Sequence, residues 1–265
     1  MDINKNPVYL EELKKSATRF YIKSKFEFLN SHYGLRPEKL HTFIAPPGAG
    51  KSTLIRTLLV DILTSKKKPL LYLSEETLKE FYTEMAFIDN GHEIFKNLSV
   101  FSEQGQEDKT MFSVLKRMQT HIEDNRPDVL LLDNITTMKS YEESIPNQYE
   151  WVEKLKNLSV YYKIPVVVIA HTDATITENH AQLIDMNKVR GTKRIVNESQ
   201  FNYVLQPIIA GGERFTFILN KKARGAIINK KIFQLFYFPR VRVFAKDEPR
   251  IFDEFKEFFN KRDKL

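Results

Sequence analysis

The sequence contains no cysteine, a single tryptophan and no long apolar run. Without thiols the protein can form no disulfide and no zinc ribbon, and it cannot use thiol catalysis. No segment reaches the roughly 20 apolar residues that a membrane-spanning helix needs, and residues 1–13 lack the apolar stretch of a signal peptide. We therefore expect a soluble, cytoplasmic protein that has no membrane partner.

Neither positive nor negative residues are in strong excess. The chain has 41 Lys and Arg residues against 34 Asp and Glu residues, a formal net charge of +7. This charge permits a polyanionic partner without requiring one. The 265 residues, 42% of them hydrophobic, are enough for one large α/β domain and too few for two of ordinary size.

Apolar runs rich in β-branched or aromatic residues alternate with helical patterns along the chain. The pattern from Met111 to Ile122, for example, repeats at helical spacing. Such alternation indicates right-handed βαβ crossovers, and hence an α/β fold with a mostly parallel central sheet and helices on both faces. The last three runs are closely spaced, which predicts an antiparallel extension at one edge. The predicted strands are Thr42–Ala45, Leu70–Ser74, Leu98–Phe101, Val129–Asp133, Val166–Ala170, Phe201–Gln206, Phe215–Leu219 and Ile232–Phe238.

Two segments flank the predicted core, which spans residues 26–245. Residues 1–25 comprise a predicted N-terminal helix and a linker, and residues 246–265 form a predicted C-terminal amphipathic helix. In that second helix, apolar residues from Ile251 to Phe259 share one stripe opposite the charges. Each helix either packs on its own domain or docks on a neighbouring molecule.

The segment from Ala45 to Thr53, APPGAGKST, matches the phosphate-binding pattern G-x-x-x-x-G-K-[ST] except that Ala45 replaces the first glycine. It lies between a predicted strand and a predicted helix, where its backbone N–H groups can face phosphates. Lys51 would reach the β- and γ-phosphates of ATP, and the Ser52 hydroxyl would ligate Mg²⁺. The alternative is a Gly/Pro turn before a helix. The predicted nucleotide-binding residues are Pro47, Gly48, Ala49, Gly50, Lys51, Ser52 and Thr53.

Acidic residues follow two other predicted strands. Asp133 ends the run VLLLD, where its carboxylate would emerge at the carboxyl end of a buried strand and help to hold Mg²⁺. Glu75 and Glu76 follow LLYLS in the same way, and either carboxylate could polarise an attacking water molecule. The alternative for these two residues is the acidic first turn of a helix.

Residues 26–53 resemble the entry to the RecA-fold motor of DnaB-type replicative helicases and of the RepA-type hexameric helicases of plasmids and phages. The phosphate loops of those helicases often carry Ala at the first position, which Ala45 occupies here. The segments LYLSEET, RPDVLLLDNITTM and IPVVVIAHTD resemble the family's base-bearing, Walker B and sensor strands. The resemblance implies that Glu76 rather than Glu75 is the catalytic base, and that His171 senses the γ-phosphate. A buried core histidine is the alternative for His171.

The segment LNKKARGA resembles the K-x-R-x-G element of the same helicases, although Gly225 directly follows the arginine. In the family, the lysine and arginine reach into the nucleotide site of the neighbouring subunit. The resemblance therefore implies that Lys222 and Arg224 act across the interfaces of a homo-oligomeric, hexameric ring. The alternative is a solvated hairpin turn.

A long connection, residues 172–197, follows His171 and carries four basic residues, and connections of this length are usually functional or disordered. In the resembling helicases this region grips single-stranded DNA in the central pore. Cationic side chains along a phosphate backbone bind it independently of sequence. Acidic residues such as Asp185 also occur here, so a merely solvated loop is the alternative. The predicted DNA-binding residues are Lys188, Arg190, Lys193 and Arg194.

The sequence and the resemblance together predict an ATP-driven, hexameric single-stranded DNA translocase or helicase in the replication of a plasmid, phage or mobile element. A RecA-type recombinase or annealing ATPase is one alternative. A helicase-loading or regulatory ATPase is another, and the C-terminal helix would suit its contact with a replication protein.

Overall fold

A nine-stranded sheet forms the centre of the molecule in the computed structural model, which describes residues 21–88, 94–173, 184–210, 213–224 and 232–250. The strand order is β3-β2-β4-β5-β1-β6-β7-β8-β9. The pairings from β3 to β6 are parallel, and those from β6 to β9 are antiparallel. The strands are β1 (Leu40–Ala45), β2 (Pro69–Leu73), β3 (Ser99–Ser102), β4 (Val129–Asp133), β5 (Val166–His171), β6 (Phe201–Ala210), β7 (Glu213–Ala223), β8 (Ile232–Phe238) and β9 (Val243–Arg250).

Helices cover both faces of this sheet. Met118 and Trp151 pack in the hydrophobic cluster on one face, and Leu54 and Leu58 pack in the cluster on the other. The mixed α/β fold, the mostly parallel sheet and the antiparallel edge are therefore confirmed. None of the described helices is both long enough and apolar enough to cross a bilayer. The helices are α1 (Glu27–Asn30), α2 (Lys51–Thr64), α3 (Leu78–Met85), α4 (Met111–Asn125), α5 (Lys139–Glu142), α6 (Ile145–Tyr162) and α7 (Arg194–Glu198).

Burial explains why the sequence predicts the strands near the site. Strands β1, β2, β4 and β5 are buried along their whole lengths, so each is an almost continuous apolar run. Because these strands are parallel, their carboxyl ends lie at one edge of the sheet. The residues at this edge are those in which the sequence predicts a nucleotide site.

Strand β9 corrects the expected boundary of the core. Residues 246–250, assigned from the sequence to the C-terminal helix, continue the strand to Arg250 instead. Strand β9 is polar because it is an edge strand, and only its first residues, Val243 and Phe244, are buried. The Asp247 carboxylate accepts hydrogen bonds from the first backbone N–H groups of α1, at 2.9 and 2.7 Å. Residues 1–20 and 251–265, which hold most of both predicted terminal helices, lie outside the described residues.

A buried histidine on β1 makes the stability of this fold sensitive to acid. His41 stacks on Phe201 at 4.6 Å, and its Nε2 accepts the Arg36 N–H at 3.0 Å. Its Nδ1 is buried and has no hydrogen-bond partner. Burial lowers the pKa of His41 to about 3. An unfolded histidine has a pKa of about 6.5. Between these two pKa values the unfolded chain therefore binds a proton that the folded protein does not bind.

Replacing His41 with Gln should therefore reduce the acid sensitivity, because Gln keeps an acceptor for the Arg36 N–H but does not titrate. The contribution of His41 is present above pH 6.5 and is lost as the pH falls toward the folded-state pKa. Between pH 7.5 and 5.0 the wild type should lose about 2 kcal/mol more unfolding free energy than His41→Gln. Urea unfolding at both pH values measures this difference. If both proteins lose the same unfolding free energy, the low pKa of folded His41 is contradicted.

Candidate nucleotide-binding site

The phosphate loop connects the end of β1 to the start of α2, as the motif requires. Gly50 is the N-cap of α2 and has φ 92°, a left-handed conformation that favours glycine. The Ala49 N–H donates to the Pro46 carbonyl at 3.2 Å and closes the turn. The first N–H groups of α2 have no partner within the helix, so this turn presents an anion-binding helix terminus.

The substitution of Ala45 for the first glycine of the motif has a simple structural reason. Ala45 is a buried residue of β1 that pairs in register with His171 of β5. Its φ is negative, as in a regular strand, so no glycine is required there.

Lys51 points back across the loop. Its side chain is only 8% exposed, and Nζ donates to the Pro46 carbonyl at 2.8 Å. Burial lowers the pKa of Lys51, whereas the nearby carboxylates of Asp133 and Glu75 act in the opposite direction. The ammonium group is therefore held between the loop and the acidic end of the neighbouring strands.

Asp133 ends β4 and is suited to hold a cation. Burial raises its pKa to about 7, and the carboxylates of Glu76 and Glu75 add to this effect. Among the described residues, no side chain or backbone group donates a hydrogen bond to its carboxylate. A Mg²⁺ ion nearby would favour the ionised form of such a group.

The donor set fits an ion that is shared with phosphates. The described residues contain no group of three or more His, Asp or Glu side chains that could hold a metal by themselves. Mg²⁺ is commonly held by one or two protein oxygens together with phosphates of the substrate. Asp133 and the hydroxyl of Ser52, one residue into α2, are the protein oxygens that this site offers.

A polar network joins the ends of β2, β4 and β5. Asn134 Nδ2 donates to Glu75 Oε1 at 3.1 Å and lies 3.1 Å from His171 Nε2. An amide nitrogen only donates, so Nε2 is the acceptor and the ring proton lies on Nδ1. Burial lowers the pKa of His171 to about 4, so the ring is neutral at physiological pH. Sequence reasoning missed Asn134, although its position directly after Asp133 was a usable signal.

Glu76 has a different partner from Glu75. Both of its carboxylate oxygens accept from Arg56 Nη2, at 3.0 and 3.3 Å. Arg56 lies on α2 one turn after Ser52, and sequence reasoning missed it too. The negative charges of Glu75 and Glu76 both raise the pKa of Asp133, so this effect does not distinguish the two carboxylates. The assignment of Glu76 as the base therefore stays a prediction.

Arg214 is a third residue of the site that no sequence motif indicates. It lies at the start of β7, and its Nη2 donates to the Gly48 carbonyl in the phosphate loop. Strand β6 is parallel to β1, so the end of β6 and the start of β7 lie at the edge that carries the loop. The sequence around Arg214 carries no motif that marks this contact.

The structure does not bring Lys222 and Arg224 into this site. Residue Lys222 pairs with Asn202 near the start of β6, at the opposite edge of the sheet. Its Nζ donates to the carbonyls of Val196 and Asn197 at 2.8 and 2.6 Å, and Arg224 Nη2 donates to Asn197 at 3.1 Å. Both side chains thus cap the carboxyl end of α7 in this chain.

Two of the four predicted DNA-binding residues lie beside His171. The Arg190 N–H donates to the His171 carbonyl at 2.8 Å, and the Lys188 carbonyl accepts from the Asp173 N–H at 3.1 Å. Both basic side chains are exposed, although Arg190 Nε lies 3.5 Å from the Asp173 carboxylate.

The other two lie at the start of α7. Lys193 is exposed, whereas Arg194 is tied to α6. Its Nη2 is 3.8 Å from the Glu153 carboxylate, and its guanidinium lies 5.3 Å from the Tyr149 ring centroid. The four cations therefore do not have equal access to a ligand.

Comparison with known families agrees with this geometry. The profile of the AAA domain family matches residues 22–175, more than half of the chain, and the match covers the phosphate loop, Asp133 and His171. A search of curated proteins found no significant match. Membership of this family implies a P-loop ATPase that binds nucleotide, generally together with Mg²⁺. The phosphate loop, the acidic strand end and the family match thus lead to one conclusion: this chain belongs to the AAA domain family of P-loop ATPases.

Proposed function

We propose that this protein is an ATP-driven single-stranded DNA translocase or helicase that works as a hexameric ring in the replication of a plasmid, phage or mobile element. The observation that carries the proposal is the direct connection between the hydrolysis site and the basic segment. Thr172 and Val189 form a β-bridge, and the Arg190 N–H binds the His171 carbonyl at 2.8 Å.

The residues at the carboxyl edge divide the work of hydrolysis among them. Lys51 would bind the β- and γ-phosphates, and Ser52 and Asp133 would hold Mg²⁺, which neutralises phosphate charge. Glu76 would accept the proton of the attacking water. His171 is neutral, so it can hydrogen-bond to the γ-phosphate without adding a charge of its own.

Coupling follows from the position of His171 at the end of β5. A change in its contact with phosphate would act on the backbone that holds Lys188 and Arg190. These side chains are exposed and would bind the sugar-phosphate backbone without reading its sequence. Loss of the γ-phosphate could in this way change the grip on DNA.

A ring accounts for the position of Lys222 and Arg224. They lie at the edge opposite the phosphate loop of their own chain, so the nucleotide they could reach is one bound by a neighbouring subunit. Their bonds to Val196 and Asn197 are backbone contacts that a nucleotide phosphate would replace. An arginine supplied in trans stabilises the charge of the phosphoryl-transfer transition state.

A protein-directed ATPase has one supporting observation. The structure has a groove of about 920 Å³ between α4 and α6, beside the highly exposed Phe112 and Tyr161. Apolar surface of this kind can bind a protein partner. Electron microscopy with an ATP analogue and single-stranded DNA separates the candidates: closed rings favour the proposed motor, filaments a recombinase, and isolated subunits a regulatory ATPase.

Replacing Lys188, Arg190 and Lys193 with Ala should weaken binding to single-stranded DNA and reduce its salt dependence. Each lost phosphate contact lowers the slope of log affinity against log salt by roughly 0.7, so three contacts account for about 2. Replacing Arg194 alone should have a smaller effect, because Glu153 and Tyr149 already hold it. Fluorescence anisotropy over a salt series measures both slopes.

Replacing the three lysines at 66–68 with Ala is the matched control. It removes the same charge from the opposite edge of the sheet, before β2. If this control lowers the slope as much as the first variant does, then the binding depends on net charge alone. The basic segment would then have no specific role in binding DNA.

Arg224→Ala should bind nucleotide and assemble normally but hydrolyse ATP slowly, because arginine fingers supply roughly 10³–10⁵ in rate. Mixing it with Lys51→Ala gives a sharper test. Some interfaces in a mixed ring combine an intact loop with an intact finger, so single-site turnover should exceed that of either variant alone. Mixed assembly must be verified first, by native mass spectrometry. Wild-type turnover by Arg224→Ala would refute the role in trans.

A further inference from the structure

A chain of alternating charges leads from the candidate base to the turn between β8 and β9. We refer to Glu76, Arg56, Glu84 and Arg242 as the charge chain. Arg56 Nη2 binds Glu76 at 3.0 Å, and Arg56 Nη1 lies 3.7 Å from Glu84. Arg242 Nη1 binds both oxygens of Glu84 at 2.9 Å. Three separate elements, α2, α3 and the β8–β9 turn, therefore meet through charged side chains beside the nucleotide site.

The position of Arg56 places it among the reacting groups. It follows Ser52 by one turn of α2, so both side chains lie on the same face of the helix. The positive charge of Arg56 acts on Asp133 and opposes the rise in the pKa of that carboxyl. The guanidinium thus contacts the carboxylate expected to activate the water, and its charge acts on the carboxylate expected to hold the ion.

Arg56 restrains Glu76 in two ways. Its side chain is only 12% exposed, so solvent screens the ion pair less than it would at the surface. A charge-assisted hydrogen bond to both carboxylate oxygens fixes the direction of the carboxylate. These hydrogen bonds also occupy lone pairs of the carboxylate oxygens, which a general base needs in order to accept a proton from water.

The remaining members of the charge chain determine which carboxylate Arg56 binds. Glu84 could compete with Glu76 for Arg56, but Arg242 occupies both of its oxygens. The Arg242 guanidinium also lies 4.1 Å from the centroid of the Phe87 ring, which holds it against α3. Arg242 therefore leaves Arg56 directed toward Glu76.

We propose that Arg56 is a positioning residue that restrains the base Glu76, and that Arg242 strengthens this restraint by holding Glu84. The inference rests on the proposed role of Glu76 in ATP hydrolysis. Removing either arginine frees Glu76 to orient water: the loss of Arg56 does so directly, and the loss of Arg242 does so by giving Arg56 a second carboxylate. The restraint limits turnover without taking part in binding ATP.

Steady-state phosphate release, paired with equilibrium ATP binding, tests the restraint. Arg56→Gln should raise kcat about fivefold, equivalent to about 1 kcal/mol, and should leave the ATP Kd unchanged. Arg242→Ala should raise kcat in the same direction, and the double variant should not exceed Arg56→Gln. Arg56→Lys, which keeps a charge but replaces the rigid planar guanidinium with a flexible ammonium group, should lie between wild type and Arg56→Gln.

Arg240→Ala is the matched control for the turn. Arg240 is exposed on the same turn and makes no ion pair with the described residues, so its loss should leave kcat at the wild-type value. Adding Glu76→Gln to Arg56→Gln should abolish the increase, because the restrained group is then absent. If Arg56→Gln fails to fold, Arg242→Ala carries the test, since Arg242 lies on a surface turn.

The opposing outcomes are distinct. A fall in kcat with Arg56→Gln or Arg242→Ala at unchanged Kd would show that Arg56 assists Glu76, and would overturn the restraint. Turnover that survives Glu76→Gln but not Glu75→Gln would also overturn it, because the base would be the other carboxylate. Failure of the proposed function has its own signature: wild-type protein without ATP turnover, or Lys51→Ala with full turnover, refutes the site and the inference together.

Discussion

The register of the buried parallel strands holds the candidate site together. Ala45 at the end of β1 pairs with His171 at the end of β5, and Leu73 at the end of β2 pairs with Asp133 at the end of β4. A slip of one residue in any of these strands would turn its inward side chains to the other face of the sheet. The same apolar packing that determines the register therefore places the phosphate loop, the acidic residues and the histidine at one edge.

The polar residues of the site lie at this edge, where the buried strands end. Each of them either has a defined hydrogen-bond or ion-pair partner or is affected by the charge of its neighbours. Asn134 contacts both Glu75 and His171, Lys51 is bound to the carbonyl of its own loop, and Arg56 holds Glu76. Burial raises the pKa of Asp133, and the carboxylates of Glu76 and Glu75 add to this effect. Such an arrangement is suited to receive positive charge, which agrees with an AAA domain family ATPase that works with Mg²⁺.

The antiparallel half of the sheet supports the site from outside the matched family region. Arg214 of β7 contacts the phosphate loop, and Phe244 of β9 donates its N–H to Thr57 of α2 at 2.9 Å. Arg242 reaches α3 from the turn before β9. Residues beyond the region that the family profile covers thus touch the loop, its helix and the acidic segment. Through these contacts, residues outside the profile can adjust the positions of groups in a site whose central chemistry is common to the family.

The sequence by itself determined the α/β fold, the buried strands and the phosphate loop, because each depends on a local pattern. A buried strand needs a short apolar run, and a phosphate loop needs glycine and lysine at set spacings. It could not reveal the strand β9, whose polar residues pair at an edge and whose Asp247 caps a helix far away in the chain. Nor could it reveal the partners of Glu76, Gly48 or Lys222. Only the tertiary structure decided these, because each contact joins elements that are distant in sequence and meet only after the sheet has formed.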